Sequence, residues 1–471
     1  MNTQGHDNLS GKKVLLFGLG LLGGGVATAN WLIKQGAQVT ISDLKTTEQL
    51  SSSLLQIIGT VEYRLGRHEH RDIDDHDIIV VNPGVSFHHP DIEYARRVGK
   101  QLENEATLFY RYCYKPKLAI TGTRGKTTTV QWSNHFLKTS QSSTIAGNSS
   151  SQPLLAVCDQ DYDVYVTELP SYMLEFFDHE LPAPDVAIVT NISSDHLNRY
   201  SSFEEYVAIK ARIFKWQTSK QHMIFNYDNA VTPMLLKEQS RAQQWFFSRH
   251  ALPTELNGVF VRDTSLWLQV TGSIQEVLSL GTFEEQWGGH NLENLMASAL
   301  AAHLYGLSWK AIQEAIPSLL PVPFRQEIIF QNARLTIIND TTATSPEGTV
   351  AAVKRFGGPA TILISGGTDA LMDYATWAEA ISVTIAAKHL ILLSGSATEK
   401  MLSSLAWSTS TVVVDTLADA LAQAYELSQR LASAIILFSP GAKSFEKFNN
   451  EFHRGEQFND LVKKIINKEQ V

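Results

Sequence analysis

The stretch Ala119–Val130, AITGTRGKTTTV, decides how the chain is read. A short apolar strand, Leu118–Thr121, runs into a glycine turn, and Lys126 then leads into three threonines. Gly122, Gly125, Lys126 and Thr127, with Thr123 and Thr128 beside them, make a shortened GxxGK(S/T) loop. Glycines let backbone N–H groups converge on one concavity, and the helix that follows adds partial positive charge at its N-terminus. Lys126 is placed to bridge the β- and γ-phosphates of a nucleoside triphosphate, and the Thr127 hydroxyl to ligate Mg²⁺. An ordinary glycine turn is the alternative. The loop by itself does not separate a GTPase from an ATP-using ligase.

Bulk properties narrow the class. At 471 residues the chain is too long for one core, so two or three domains are expected. An apolar share of 44% with 18% charged residues is that of a globular protein. A net charge of -9 disfavours a general nucleic-acid binder. Cys113 and Cys158 lack metal-type spacing and suit a reducing cytoplasm. No apolar run reaches the length of a membrane span, and the polar start is not a signal peptide, so a cytoplasmic protein is expected.

Three α/β segments follow from the order of apolar runs. The first opens with Val14–Phe17, Gly18, Gly20 and Gly23, a helical pattern and a second strand ending in Asp43, the order of a dinucleotide-type fold. Further on, DIIVVNPG (Asp77–Gly84) is another strand. The second segment adds DVYVTEL, PDVAIVTNI and HMIFNYDN to the strand before the phosphate loop. The third holds RLTIIND, ATILISGG, HLILLSG, TVVVD and AIILFSPG. Strands alternating with helices argue parallel sheets covered on both faces. The expected domains are a Rossmann-like unit at 1–106, a central P-loop-type sheet at 107–321 and a second Rossmann-like unit at 322–471.

Two strand ends bear on the chemistry. Glu168 closes VTEL, and TNISSDHLNRY carries Asp195 and His196, with Lys210 on the helix beyond. A carboxylate and an imidazole there suit a second Mg²⁺ between the γ-phosphate and another substrate. Singly, each is more often a solvated or capping residue, and Lys210 alone reads as a solvated helix lysine.

In this order the segments resemble the Mur ligase family. GTRGKTTT is similar to its ATP loop, with Arg124 where Asn is usual. The resemblance places Asn291 and Asn294 of GGHNLENL by the adenine, Arg325 of FRQE at the γ-phosphate and Asp340 of INDTTATS at the ribose. It makes Glu168 and His196 ligands of Mg²⁺ and Lys210 the lysine the family carries as a carbamate, a third metal-facing group. Phe324 stands where His is usual.

GLGLLG with Asp43, NPGV, AGNSSSQP and the tail SPGAKSFEKFNNEFHRGEQ resemble the glutamate-adding branch of that family. By that likeness Asp43 faces uracil, Leu21 and Leu22 the pyrophosphate, and Gly84 and Asn148 the sugar of a UDP-sugar. Thr344, Lys443, Ser444 and Phe445 take the amino acid. Thr342 and Ala370 replace two lysines that lie near glutamate in the family, and Lys443 is placed to supply the missing charge. The implied partners are small molecules, UDP-N-acetylmuramoyl-L-alanine and glutamate, with ATP as co-substrate, no nucleic acid or membrane, and a monomer. D-glutamate leads, with the L-form, another amino acid or another ligase of the family as alternatives.

The implied reaction activates a carboxylate as an acyl phosphate, which the amine then attacks. Lys126, Arg325 and two Mg²⁺ would offset the repulsion of two anions, and ATP groups on two segments imply hinge closure. Two other readings are a nicotinamide-dependent oxidoreductase using Gly18, Gly20, Gly23 and Asp43, and a non-catalytic nucleotide-binding protein.

Overall fold

Each apolar run becomes a strand because it has two faces to bury. In β1 (Lys13–Phe17), Val14 and Leu16 enter one core while Leu15 and Phe17 enter another. The same alternation splits Leu118 and Ile120 from Ala119, which is why these strands read as continuous apolar stretches. The computed structural model describes residues 9–21, 23–147, 152–193, 199–407 and 411–469. They divide into two compact units, Met1–Leu319 and Leu320–Val471.

The first unit holds two sheets. In the first sheet, β2 (Gln38–Asp43), β3 (Glu62–Leu65), β4 (Ile78–Val81) and β5 (Gln101–Glu103) join β1 in the order β3-β2-β1-β4-β5, all parallel. The second has nine strands: β6 (Lys117–Thr121), β7 (Ser143–Gly147), β8 (Val164–Glu168), β9 (Val186–Val189), β10 (His222–Asn226), β11 (Gln243–Ser248), β12 (Gly258–Arg262), β13 (Ser265–Val270) and β14 (Ser273–Ser279). Their order is β14-β13-β12-β11-β10-β9-β6-β8-β7, antiparallel only at β12–β13 and β13–β14.

One core runs through both sheets. It takes Val14, Leu16 and Ile41 from the first, Ala119, Tyr165 and Phe225 from the second, and the connecting helix Glu105–Tyr112 through Leu108 and Phe109. Asn104 caps that helix: its side chain accepts from the Thr107 N–H at 2.9 Å while Thr107 Oγ1 accepts from the Asn104 N–H at 2.8 Å, the reciprocal arrangement of a capping box.

The topology fixes where loops gather. The helix after β6, Lys126–Leu137, packs in the core on one face of the sheet, whereas the helices after β8 and β9, Ser171–Leu174 and Phe203–Ala211, pack in the core on the other. Neighbouring parallel strands whose connections leave to opposite faces open a crevice at their carboxyl ends. The loops after Thr121, Glu168 and Val189 line it.

The second unit is a six-stranded sheet of β15 (Glu327–Gln331), β16 (Leu335–Asn339), β17 (Thr361–Gly366), β18 (Leu390–Leu393), β19 (Val412–Val414) and β20 (Ala434–Phe438). The order is β15-β16-β20-β17-β18-β19, with only β15 antiparallel. Among the described residues no helix is long and apolar enough to cross a membrane. The three mostly parallel sheets are the α/β class that the sequence leads one to expect.

Candidate active site

The phosphate loop is built to a shape that only glycine permits at two places. Gly122 has φ of 150° and Gly125 φ of 80°. A Cβ on Gly122 would stand 1.9 Å from Thr190 Oγ1, and one on Gly125 2.3 Å from Asn294 Oδ1. The loop after β9 clamps the backbone between them. Thr190 Oγ1 donates to the Arg124 carbonyl at 2.6 Å, Asn191 Oδ1 accepts from the Arg124 N–H at 2.9 Å, and the Asn191 carbonyl accepts from the Thr123 N–H at 2.8 Å. Position 124 is held through its main-chain N–H and carbonyl.

Asn291 and Asn294 lie on the helix Gly289–Leu304, which packs against the helix following the loop. Asn294 accepts from Thr129 Oγ1 at 3.2 Å and donates to Asn291 Oδ1 at 3.0 Å, so both amides come to the base of the loop. The Lys126 ammonium donates to the carbonyls of Gly122 at 3.0 Å and Thr123 at 3.1 Å. Lys210 is not a solvated helix lysine. It is 1% exposed, donates to the Gly122 carbonyl at 2.9 Å, and its ammonium sits 4.8 Å over the Tyr206 ring. An ammonium this dry needs partners, and the loop carbonyl supplies one.

Glu168 is buried opposite Ile120 in the β8–β6 register, one residue before the loop strand ends. Thr127 lies in the first turn of the helix after the loop. His196, with Asp195, lies outside the described residues, as do Leu22 and Asn148. Among the described residues no three His, Cys, Asp or Glu side chains gather as a metal cage. One carboxylate and one hydroxyl beside a phosphate cradle fit Mg²⁺, which keeps several waters and takes substrate phosphates as ligands.

In the first sheet, Gly18 and Gly20 turn with φ of 93° and 66°. Asp43 Oδ2 accepts from the N–H groups of Leu19 at 2.9 Å and Gly20 at 3.1 Å, and Oδ1 from that of Lys45 at 2.8 Å. Burial works against ionisation, yet these three donors hold the Asp43 carboxyl below its usual value. The acid thus secures the turn. Leu21 is 52% exposed at its tip. Asn82 donates to the Leu19 carbonyl at 3.4 Å and accepts from the Gly84 N–H at 3.0 Å, tying the two turns together.

In the second unit Arg325 sits between two residues in the left-handed region, Phe324 (φ 65°) and Gln326 (φ 49°). Such strain persists only where neighbours over-determine it. Asp340 Oδ1 accepts from the Gln326 N–H at 3.0 Å, Glu327 Oε2 from the Phe324 N–H at 2.8 Å, and Thr342 Oγ1 donates to the Phe324 carbonyl at 2.7 Å. Burial pushes the Asp340 carboxyl up to about 7, against the hydrogen bonds of Ser439 and Gln326 and the charge of Arg325. Thr342 thereby holds the turn that contains Arg325. Thr342→Val should keep the side-chain volume, lose that bond and lower kcat about 10-fold, with thermal stability little changed. Steady-state kinetics and a melting curve check it.

Thr344 and Ser444 are buried, Phe445 is 65% exposed, and Lys443 reaches Thr344 Oγ1 at 3.5 Å. Ala370 is exposed. The tail loop is organised by Arg454, fully buried, which donates to the carbonyls of Thr341 at 2.8 Å and of Ala442 and Lys443 at 3.2 Å.

Comparison with known proteins identifies the lineage. Residues 12–103 match the Mur ligase MurD-like N-terminal domain and residues 120–302 the Mur ligase middle domain. A UDP-N-acetylmuramoylalanine–D-glutamate ligase of Roseiflexus sp. is 33% identical over 465 residues, spanning 96% of this chain and 99% of its own. The chain belongs to the Mur ligase family. A second ligase of that name, from Geobacter metallireducens, is 32% identical over 457 residues, spanning 96% of this Mur ligase and 98% of its own length. A solved MurF ligase of Thermotoga maritima in complex with ADP shares the fold, with a TM-score of 0.59 at 16% identity over 98% of this chain and 99% of that one.

The nicotinamide reading is corrected by these findings. The glycine turn belongs to a Mur ligase N-terminal domain.

Two residues of this Mur ligase escaped the sequence reading. Arg199 donates to Glu175 through Nε at 2.5 Å and Nη2 at 2.7 Å, and to the carbonyls of Pro83 and Val85 at 2.9 Å. It joins the turn containing Gly84 to the second sheet. Glu105, on the connecting helix, accepts from the Leu155 N–H at 3.3 Å. Burial pushes its carboxyl up to about 7 against the N–H groups of Leu155 and Leu154. An acid raised from 4.5 contributes stability that is complete below pH 4.5 and lost as pH rises through 7. The loss is roughly 3 kcal/mol. Glu105→Gln should flatten the fall in denaturant-measured stability between pH 5 and 8.

Proposed function

We propose that this Mur ligase uses ATP to join the carboxylate of UDP-N-acetylmuramoyl-L-alanine to the amine of D-glutamate, in the cytoplasm, during assembly of peptidoglycan precursors. The observation that carries the reading is end-to-end similarity, at about a third identity, to two relatives named for that reaction. The phosphate loop supports it independently. Gly122, Thr123, Gly125, Thr127 and Thr128 would hold the ATP phosphates, with Asn291 and Asn294 by the adenine. Lys126 would leave its loop carbonyls to meet the γ-phosphate as charge gathers there. Lys210, as ammonium or carbamate, and Glu168 border the same crevice.

Mg²⁺ held by Thr127 and Glu168, with His196, would supply positive charge between phosphate and carboxylate. Arg325 and Asp340 are proposed for the nucleotide, and Thr344, Lys443, Ser444 and Phe445 for the amino acid. Asp43, Leu21, Leu22, Gly84 and Asn148 are proposed for the UDP-sugar. Aligned reactants can remove roughly 7–11 kcal/mol of barrier, so positioning by these groups is the main contribution.

The test is phosphate release from ATP with UDP-N-acetylmuramoyl-L-alanine against D-glutamate, L-glutamate and other amino acids. Release requiring both the UDP-sugar and D-glutamate is expected. Preference for L-glutamate would reverse the stereochemistry, and release indifferent to any glutamate would overturn the acceptor.

A further inference from the structure

The chain has two cysteines in 471 residues, and the fold places both at one core. Cys113 ends the helix Glu105–Tyr112 and Cys158 ends the helix Leu154–Val157. The two helices pack on each other in the core shared by the two sheets. Cys113 belongs to that core and Cys158, 45 residues later in the sequence, packs against it, near enough for each thiol to influence the other's charge. Neither belongs to the site described above.

Their surroundings favour reaction. Lys117, at the start of β6, is 3% exposed. Its ammonium donates to the Cys113 carbonyl and, at 2.9 Å, to that of Lys115. The neighbouring Cys158, helped by Lys117, holds the Cys113 thiol below its ordinary value against the effect of burial. Thiolate character sets which cysteine meets an oxidant first. Cys113 is buried, Cys158 is only partly buried, and next to Cys158 Asp159 pairs with Lys34 at the surface.

We propose that Cys113 and Cys158 are a peroxide-oxidisable pair that closes into an intramolecular disulfide around the segment carrying the phosphate loop. The Cys113 thiolate attacks a hydroperoxide, breaking its O–O bond and becoming a sulfenic acid as an alcohol or water leaves. The Cys158 thiol then attacks the sulfenic sulfur, forming the S–S bond and releasing water. Overall two thiols lose two protons and two electrons, and the hydroperoxide accepts them. Residues 114–157, with β6, the phosphate loop and β7, become a covalently closed loop.

The experiment uses the purified full-length chain with hydrogen peroxide as the probe. Thiols counted after denaturation should fall from two to none and return with dithiothreitol. A non-reducing digest should contain one peptide joining 113 to 158, and the unfolding midpoint should rise by about 5 °C, because the cross-link restricts the unfolded chain. In Cys158→Ser a sulfenic-acid trap should mark Cys113. Two thiols surviving peroxide that oxidises free cysteine would overturn the proposal. So would a bridge between chains, or a trap adduct absent from Cys113 in a folded Cys158→Ser variant.

Discussion

Lys126→Ala is expected to lower ADP formation by about 10³-fold or more, roughly 4 kcal/mol of transition-state stabilisation. Binding of UDP-N-acetylmuramoyl-L-alanine should remain, because the residues proposed for it belong to the first sheet and to the segment after β7. The Lys126 ammonium rests on the carbonyls of Gly122 and Thr123. Those bonds are weak enough to exchange for a phosphate, yet they keep the charge at the loop before substrate arrives. The loop itself should survive the substitution, since Thr190 and Asn191 hold it through main-chain bonds that do not involve the lysine side chain. Single-turnover ADP release together with calorimetric titration of the UDP-sugar separates the two effects. Product at the normal rate would remove Lys126 from the mechanism.

Arg199→Met is expected to destabilise the first unit by about 3–5 kcal/mol, the range for breaking a buried pair and stranding its partner. The Glu175 side chain has no exposure and takes both its guanidinium bonds from Arg199, with Tyr200 adding a hydroxyl at 3.0 Å. Removing the cation leaves a dry carboxylate. Arg199→Met with Glu175→Gln should recover most of the stability, because a neutral amide tolerates the site. It should not restore the anchor on Pro83 and Val85, so KM for the UDP-sugar should stay raised about 10-fold relative to wild type. Denaturation curves and kinetics on the single and double variants read both quantities. A double variant with wild-type KM would show that the Gly84 turn needs no support from Arg199.

How far residues could be read in advance depended on the range of their partners. Val14–Phe17, Leu118–Thr121 and the strands near 340, 365 and 438 were legible because burial on two faces writes itself into a local run. The phosphate loop was legible because its glycines and lysine are contiguous. Lys210 was legible only through the family resemblance: residues in its own helix say nothing of the Gly122 carbonyl, 88 positions earlier, that receives its ammonium. Arg199 bonds to carbonyls 114 and 116 positions away, and Glu105 accepts from an N–H 50 positions away. Thr342 looked like a lost lysine until the left-handed turn at Phe324 supplied its partner.

The far strand of the nine-stranded sheet bears on how this enzyme survives at high concentration. Among the described residues β14 pairs only with β13, and a row of main-chain groups without a neighbouring strand invites another molecule to pair there. Glu276, its carboxylate accepting from Ser265 Oγ at 2.6 Å, places a charge on that flank. The register slips between Leu266 and Trp267, so the ladder is irregular just there. The Ser279 N–H is taken by Gln313 Oε1 at 2.7 Å. A charge, a bulge and a side-chain plug on one seven-residue strand leave an incoming strand little regular surface to extend.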